Sequence, residues 1–558
     1  MRAQTLLVLF AVAGGALAAP LQAPFEVPST LVKRKLNGRF LHITDMHPDP
    51  YYTPRTSVKK SCHRKKPKKK GDEAGYYGTP HGDCDSPLRL TNFTLDFLEK
   101  HWASEIDFVI WTGDNARHDE DNKIPRTPAE IYDTNRAVAS KMKSIFSARG
   151  IPVVPSLGNN DVWLQNILTP GPNTVTNTYS SIWGSFIPFP SYQVFQRGAY
   201  YSTEVVPDAI GVISLNTLYF YDSNKAVGGC EYTDPEDAGN LQFDWLQVQL
   251  ESFRNRNMQV WVTGHVPPSS GTYYPECYVR YAELSLRFQD TILGHLFGHL
   301  NADHFHFIEA NDLNIWAEPA KAMSPSGLFE GIIETFENIP KESKIDYDDY
   351  GVVNVSPSVV PNPYLPSFRI FSYNITDAGS QMMRPSDSKL RVHTTKDRTP
   401  RHRSGRAGDK KKLCKLKEYR DTWKCQLREA WHSDEEAPSR QNKLWSPLGY
   451  AQYYLPNLDS ADKHHDPKYN LEYMTFRPQD LHPHDNETAL NFHYPVPLRN
   501  LPRSLRNDTI TKSTYAPYCM RDLTVSSWIT LARKFADPKR KKLRKLFKKF
   551  MFMGGEEG

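Results

Sequence analysis

No Cys-x-x-Cys pair occurs in the 558 residues, and only seven cysteines are spread along the chain, which excludes a knuckle-type metal site built on thiolates. No internal repeat is visible, so a stacked-repeat architecture is excluded as well. Charge of one sign is also lacking: 69 Lys and Arg stand against 63 Asp and Glu. A formal net charge of +6 gives no reason to expect a specific nucleic-acid partner, and the basic residues matter where they cluster. Apolar content is sufficient, since 39% hydrophobic and 12% aromatic residues allow one large buried core.

Long hydrophobic runs are confined to the N-terminus. Leu6 to Ala19 follows Met1-Arg2 and closes on Ala16-Leu17-Ala18-Ala19, the pattern of a cleavable signal peptide over residues 1–19. A short type II signal-anchor is the alternative, although the run falls short of the roughly 20 residues a spanning helix needs. Either reading sends the body of the protein into the secretory pathway, with membrane association through the N-terminus in the second. Sequons at Asn92, Asn354, Asn374, Asn486 and Asn507 agree with a luminal address and are expected glycosylation sites. In that oxidising setting, proximity pairs Cys62 with Cys84, Cys230 with Cys277 and Cys414 with Cys425, leaving Cys519 as one buried thiol.

Along the chain, short apolar runs alternate with polar helical segments from about Arg39 to Phe307. Phe40 to Thr44, Phe108 to Thr112, Val153 to Leu157, Ala209 to Leu215 and Gln259 to Thr263 read as buried strands, each followed within a few residues by Gly, Asp, Asn or His. Helices are expected at about Thr127 to Phe146 and Asn240 to Phe253. This is an α/β pattern with chemistry at the strand ends. Periodicity weakens over about 309–350, an insertion, and resumes in Val352 to Ser356 and Phe368 to Tyr373. Residues 381–412 read as a basic low-complexity loop. Residues 413–535 form a Pro- and Tyr-rich extension packing on the catalytic domain of residues 38–380, and 536–558 a basic amphipathic tail.

Five motifs cap the strands: Asp45-Met46-His47, Gly113-Asp114-Asn115, Gly158-Asn159-Asn160-Asp161, Gly264-His265 and Gly298-His299-Leu300-Asn301. One Gly-Asp is usually a turn and one Gly-His usually structural. The ordered set is another matter. A pair of hard divalent ions needs carboxylate and amide oxygens together with imidazole nitrogens, one carboxylate being shared.

This set resembles that of the calcineurin-like metallophosphoesterases, in their acid-sphingomyelinase-like branch. The longer runs from His42 to Tyr52, Trp111 to Asp119, Pro155 to Asp161, Gly264 to Pro268 and Gly298 to Phe305 resemble the fungal endopolyphosphatase family. Pro366 to Ile370 and Tyr373 to Asp377 extend the likeness over most of residues 38–380, while the C-terminal third matches weakly. The resemblance implies a four-layer α/β/β/α sandwich with insertions and a less regular C-terminal extension. It implies hydrolysis of inorganic polyphosphate by two divalent ions, drawn from Mn, Mg, Zn, Co or Fe, in the vacuole lumen or at the vacuole membrane facing it.

Carried over by motif, Asp45 and His47 are expected at the first ion, Asp114 at both, and Asn159, His265 and His299 at the second. Asn301 stands where the family's Gly-His-x-His motif has its last histidine, and an amide oxygen is a poorer ligand than imidazole for zinc-like ions; Asp303 and His304 are neighbouring substitutes. Asn160 stands where many relatives carry an acid histidine. His118, four residues after Asp114, therefore becomes the expected general acid. Substrate contacts are expected from Arg117, His118, Asn160, Lys65 and Lys66, the last two in a basic run that a Cys62–Cys84 bridge tethers near the site. The basic tail suits a polyanion or an anionic membrane. Competing readings are a sphingomyelinase-like phosphodiesterase, which needs an apolar platform, and a polyanion-binding protein whose metal site Asn301 has impaired.

Overall fold

The computed structural model describes residues 35–315, 327–376, 378, 407–427, 429–483, 492–553 and 555. The segment 1–19, sequon Asn486 and nearly all of the 381–412 block lie outside them. Among the described residues the strands are β1 Arg39–Ile43, β2 Pro48–Asp49, β3 Ser86–Pro87, β4 Phe108–Trp111, β5 Val153–Pro155, β6 Tyr201–Val206, β7 Ile210–Ser214, β8 Gln259–Thr263, β9 Ile292–Phe297, β10 His304–Glu309, β11 Tyr350–Val355, β12 Ser367–Tyr373, β13 Pro447–Tyr454 and β14 Asn470–Met474.

Runs such as Phe-Val-Ile-Trp in β4 and Ile-Gly-Val-Ile-Ser in β7 are buried throughout, as strands covered on both faces must be. They assemble into two six-stranded sheets of order β14-β13-β12-β1-β4-β5 and β10-β11-β9-β8-β7-β6. In the first, β1, β4 and β5 run parallel; in the second, β7, β8, β9 and β11 do. Inner faces meet through aromatic rings: Phe40 lies 4.6 Å from Phe108, 5.0 Å from Phe371 and 5.2 Å from Trp261 of the opposite sheet. Outside the first sheet, the helix Leu88–His101 brings Phe97 to Phe368. Outside the second, the helix Pro275–Arg287 sets the Tyr281 hydroxyl 2.7 Å from Nδ1 of His295. The architecture is therefore the expected four-layer α/β/β/α sandwich.

Several details differ from the sequence reading. Strands β6, β9 and β10 were not expected, and the 309–350 insertion contains the helix Leu328–Glu337, whose Phe336 stacks on Phe305. The C-terminal extension is not an irregular appendage: β13 and β14 complete the first sheet, because Tyr450 and Tyr453 carry its aromatic packing onward to Phe371 and Phe368. Helix Lys541–Met551 in the basic tail buries Phe547, Phe550 and Met551, with Phe547 stacked 4.3 Å from Phe535. Its apolar face is thus covered inside the protein. No helix of the described residues is long and apolar enough to cross one. Asn354 is buried in β11 opposite Phe305, so that sequon has no room for a glycan, whereas Asn92 and Asn507 are exposed. The three disulfides pair as expected. Cys519, expected to be buried, is exposed.

Candidate metal centre

Candidate ligands follow the C-terminal ends of strands from both sheets: Asp45 and His47 after β1, Asp114 after β4, Asn159 after β5, His265 after β8, His299 and Asn301 after β9. Parallel strands deliver their ends to one edge, which is where such sheets place chemistry. Asp45, His47, Asp114, His299 and Asn301 all have φ between 38° and 73°, a left-handed backbone that costs about 1–3 kcal/mol per non-glycine residue and collects at functional sites. The glycines of the motifs serve close approach. A Cβ on Gly158 would overlap Oδ1 of Asp114, and one on Gly298 would overlap Oγ1 of Thr44.

Asp161 knots the loops together. Its carboxylate accepts from the backbone N–H groups of Asp114, Asn115 and Gly158 at 2.8–2.9 Å and from the Asn135 amide at 3.0 Å. Asn160 donates its backbone N–H to Oδ1 of Asp114 and its amide to Oδ2, both at 2.8 Å. Arg126 holds Asn160 in turn, donating to its Oδ1 at 3.1 Å and its carbonyl at 2.6 Å. Asn160, expected to contact substrate, therefore has its amide committed to Asp114.

Among the described residues three groups have ligand atoms within 4.8 Å of one another; two of them, Asp45, His47 and Asp114, and Asp114, His265 and His299, share Asp114, and the third is His47, Asp85 and His118. Asn159 Oδ1 sits 2.8 Å from Nε2 of His265 and from Nδ1 of His299, its amide nitrogen turned to Asn166. The tautomers follow from the backbone. His47 donates through Nδ1 to the Ala116 carbonyl at 2.8 Å, and His265 through Nδ1 to the Thr112 carbonyl at 2.7 Å, so each presents Nε2 to the centre. In neutral rings those lone pairs face oxygens, Asp114 Oδ2 lying 3.1 Å from His265 Nε2. Such a set is stable around cations.

The electrostatics agree. Burial disfavours a charged His47, but Asp45, Asp114 and Asp85 outweigh it and push the ring up to about 9. His265 is likewise pushed up to about 9, Asp114 and Asp45 overcoming its burial. Burial and His265 hold His299 down to about 4. Asp114 would be raised by burial, yet His265 and His47 hold it well below the carboxylate range.

Asp45 Oδ1, His47 Nε2 and Asn301 Oδ1 are among the buried side-chain atoms of the described residues that have no hydrogen-bond partner. They belong to the three residues assigned to the first ion alone. Asn301 spends its amide nitrogen on the Asn362 carbonyl at 2.9 Å, leaving the oxygen as the open atom. Asp303 does not substitute for it, being tied to Arg369, Gln452 and Tyr473 in the core; His304 donates through Nδ1 to the Ala302 carbonyl at 2.9 Å.

Among expected substrate contacts, Arg117 is a correction. It is 2% exposed and ion-paired to Glu130 at 2.6 Å, with a further bond to the Ile124 carbonyl, so its guanidinium is spent inside the protein. Lys65 and Lys66 are exposed. Their loop is pinned beside the ligand segment by Cys62–Cys84 and by His63, whose ring nitrogens lie 2.7 Å from Asp49 and Asp121. His118 stacks on His47 and is bound to Asp85. Sequence reasoning missed Asp85 and Arg126, which no motif marks, and passed over Asp161 although it closes a quoted one.

Residues 38–302 match the calcineurin-like phosphoesterase family model. The chain is 40% identical over 612 residues to an endopolyphosphatase of Cryptococcus neoformans var. neoformans, covering 90% of this chain and 89% of that relative. Endopolyphosphatases of Schizosaccharomyces pombe and Saccharomyces cerevisiae are 36% and 35% identical over 62% of this chain, which spans 63% and 62% of their lengths.

Proposed function

Because the chain belongs to the endopolyphosphatase family of the calcineurin-like phosphoesterases, we propose that it cuts phosphoanhydride bonds within inorganic polyphosphate, giving shorter chains, in the vacuole lumen. The observation that carries the proposal is the pair of ligand sets sharing Asp114. Asp45, His47 and Asn301 are assigned to one divalent ion, Asn159, His265 and His299 to the other, and Asp114 to both. Two such ions, when bound, supply Lewis acidity that acidifies water and neutralises phosphoryl charge.

The chain's own residues supply the rest. Asn160 and Asp161 hold Asp114 in one orientation, so the shared carboxylate needs no reorganisation. His118, with its side chain 19% exposed, gives a proton to the departing oxygen. Lys65 and Lys66 attract and screen the polyanion.

The test is polyphosphate digestion resolved on a gel, with Mn, Mg, Zn, Co and Fe supplied in turn, comparing the parent with Asp114→Ala. A ladder of intermediates that vanishes in the variant is the expected result. Undiminished activity in Asp114→Ala overturns the site assignment, and release of single phosphates without a ladder overturns endo cleavage.

A further inference from the structure

Asp85 stands outside the row of strand-end motifs, yet its carboxylate is buried beside them, the side chain 5% exposed. Both oxygens are committed to one residue. Oδ1 accepts from Nδ1 of His118 at 2.7 Å and Oδ2 from the His118 backbone N–H at 2.7 Å. His118 in turn lies flat on His47, ring centroids 4.0 Å apart and planes at 18°.

The segment carrying Asp85 is fixed on both sides. Cys84 before it is bridged to Cys62. Ser86 and Pro87 after it pair with Pro48 and Asp49, and the Ser86 N–H donates to the His47 carbonyl at 3.1 Å. Asp85, His47 and His118 are close enough to hold an ion, but an ion would compete with both N–H groups that the carboxylate already satisfies. A buried carboxylate on Nδ1–H is instead the arrangement that fixes which nitrogen of an imidazole works.

We infer that Asp85 is a positioning residue for the hydrolysis proposed above: it locks the His118 ring so that Nδ1 keeps its hydrogen and Nε2 handles the leaving-oxygen proton. A water oxygen forms its bond to phosphorus and gives up a proton to solvent as the bond from phosphorus to the leaving oxygen breaks; that bond's electron pair stays on the leaving oxygen, and the proton on Nε2 moves to it. His118 is left neutral, Nδ1–H still on Asp85, and regains its proton from water. Asp85 keeps its charge throughout and touches no reacting atom.

The test compares wild type, Asp85→Asn, His118→Ala and the double variant on long-chain polyphosphate, with bound metal measured by elemental analysis. Asp85→Asn is expected to lose about 10–100-fold in kcat while KM and metal content stay near wild type. The double variant is expected to be no slower than His118→Ala, because the carboxylate acts only through the ring. Losses that multiply, or wild-type kcat in Asp85→Asn, overturn the inference. Imidazole added to His118→Ala, which leaves Asp85 untouched, is expected to restore turnover saturably if the carboxylate holds a ring there; absence of rescue also overturns it. Wild-type inactivity on polyphosphate overturns the substrate reading alone, and the variants are then compared on a nitrophenyl phosphodiester.

Discussion

Arg126→Met removes the clamp behind the shared carboxylate. Arg126 is 3% exposed, and besides Asn160 it donates to the Val162 carbonyl at 2.8 Å. Its place is set locally, one residue before Thr127, which caps the helix Pro128–Ile145 by accepting from the Glu130 N–H. Methionine keeps the apolar stem and supplies no donor, so Asn160 Oδ1 and the backbone carbonyls of Asn160 and Val162 are left without that partner. At about 1–3 kcal/mol for each of the three buried acceptors stranded, the loss of stability is about 3–9 kcal/mol. Burial holds the guanidinium itself below its ordinary pKa, a cost that its removal recovers, so the lower half of that range is expected. Urea unfolding measures it directly. Asn160 then grips Asp114 less firmly, and kcat/KM is expected to fall about 10–100-fold. Arg126→Lys should recover part of the stability and little of the rate, since one ammonium cannot reproduce the fork. Unfolding within about 0.5 kcal/mol of wild type, together with full kcat/KM, would show that Arg126 does not hold the Asn160–Asp114 contact.

Asn301→His is expected to shift the metal giving highest activity toward Zn or Co, because it exchanges an amide oxygen for an imidazole nitrogen; an unchanged metal profile counts against the assigned shell. Glu283 probes pH. Burial pushes it up to about 7 from an ordinary 4.5, in spite of Arg287, whose Nε lies 3.0 Å away but is not aligned for a hydrogen bond. Between those values the folded state keeps a proton that the unfolded state releases, so stability falls as pH rises through the window, by about 3 kcal/mol in all. Glu283→Gln should flatten that stretch of the stability curve, and parallel urea-unfolding curves for the two proteins would contradict it. Reversing charge in Lys65→Glu with Lys66→Glu is expected to raise KM for long-chain polyphosphate severalfold at low salt, less at high salt, with kcat unchanged. A salt-independent effect would instead point to a folding defect in the loop.

The strand ends were legible because each motif answers a local demand. Gly158 and Gly298 stand where a side chain would collide with Asp114 or Thr44, so glycine beside a ligand is enforced within a few residues of sequence. The missed strands lack that signature. In β9, Gly294 and His295 break the apolar run, and the polarity of His295 is satisfied by Tyr281 on a covering helix. In β13, Gln452 interrupts the run because it bonds Asp303 in the core, 149 residues away. Partners so distant in sequence leave no local trace. The two arginines make the same point: Arg117 looked functional beside His118 but pairs with Glu130 in the next helix, whereas Arg126 sits in no motif and lies behind the site.

Asn301 was the one departure that set the enzyme reading against a binding-only reading, and its surroundings bear on which is better motivated. A residue that had merely lost a ligand would be free to turn its amide either way or to pair both ends. Instead the amide nitrogen is held by the Asn362 carbonyl, the oxygen is buried without a partner, and the backbone is kept at φ 55°. Leaving a buried acceptor unpaired costs about 1–3 kcal/mol, and the left-handed backbone adds to it. Both costs fall on the residue that stands in sequence where the family has its histidine, and Asp45 Oδ1 and His47 Nε2 are likewise buried without a partner. With Asp114 added, that shell counts three oxygens and one nitrogen, a harder set suited to manganese or magnesium more than to zinc. Under the proposed function the departure bears on which ion is held, and the metal profile of Asn301→His is what decides it.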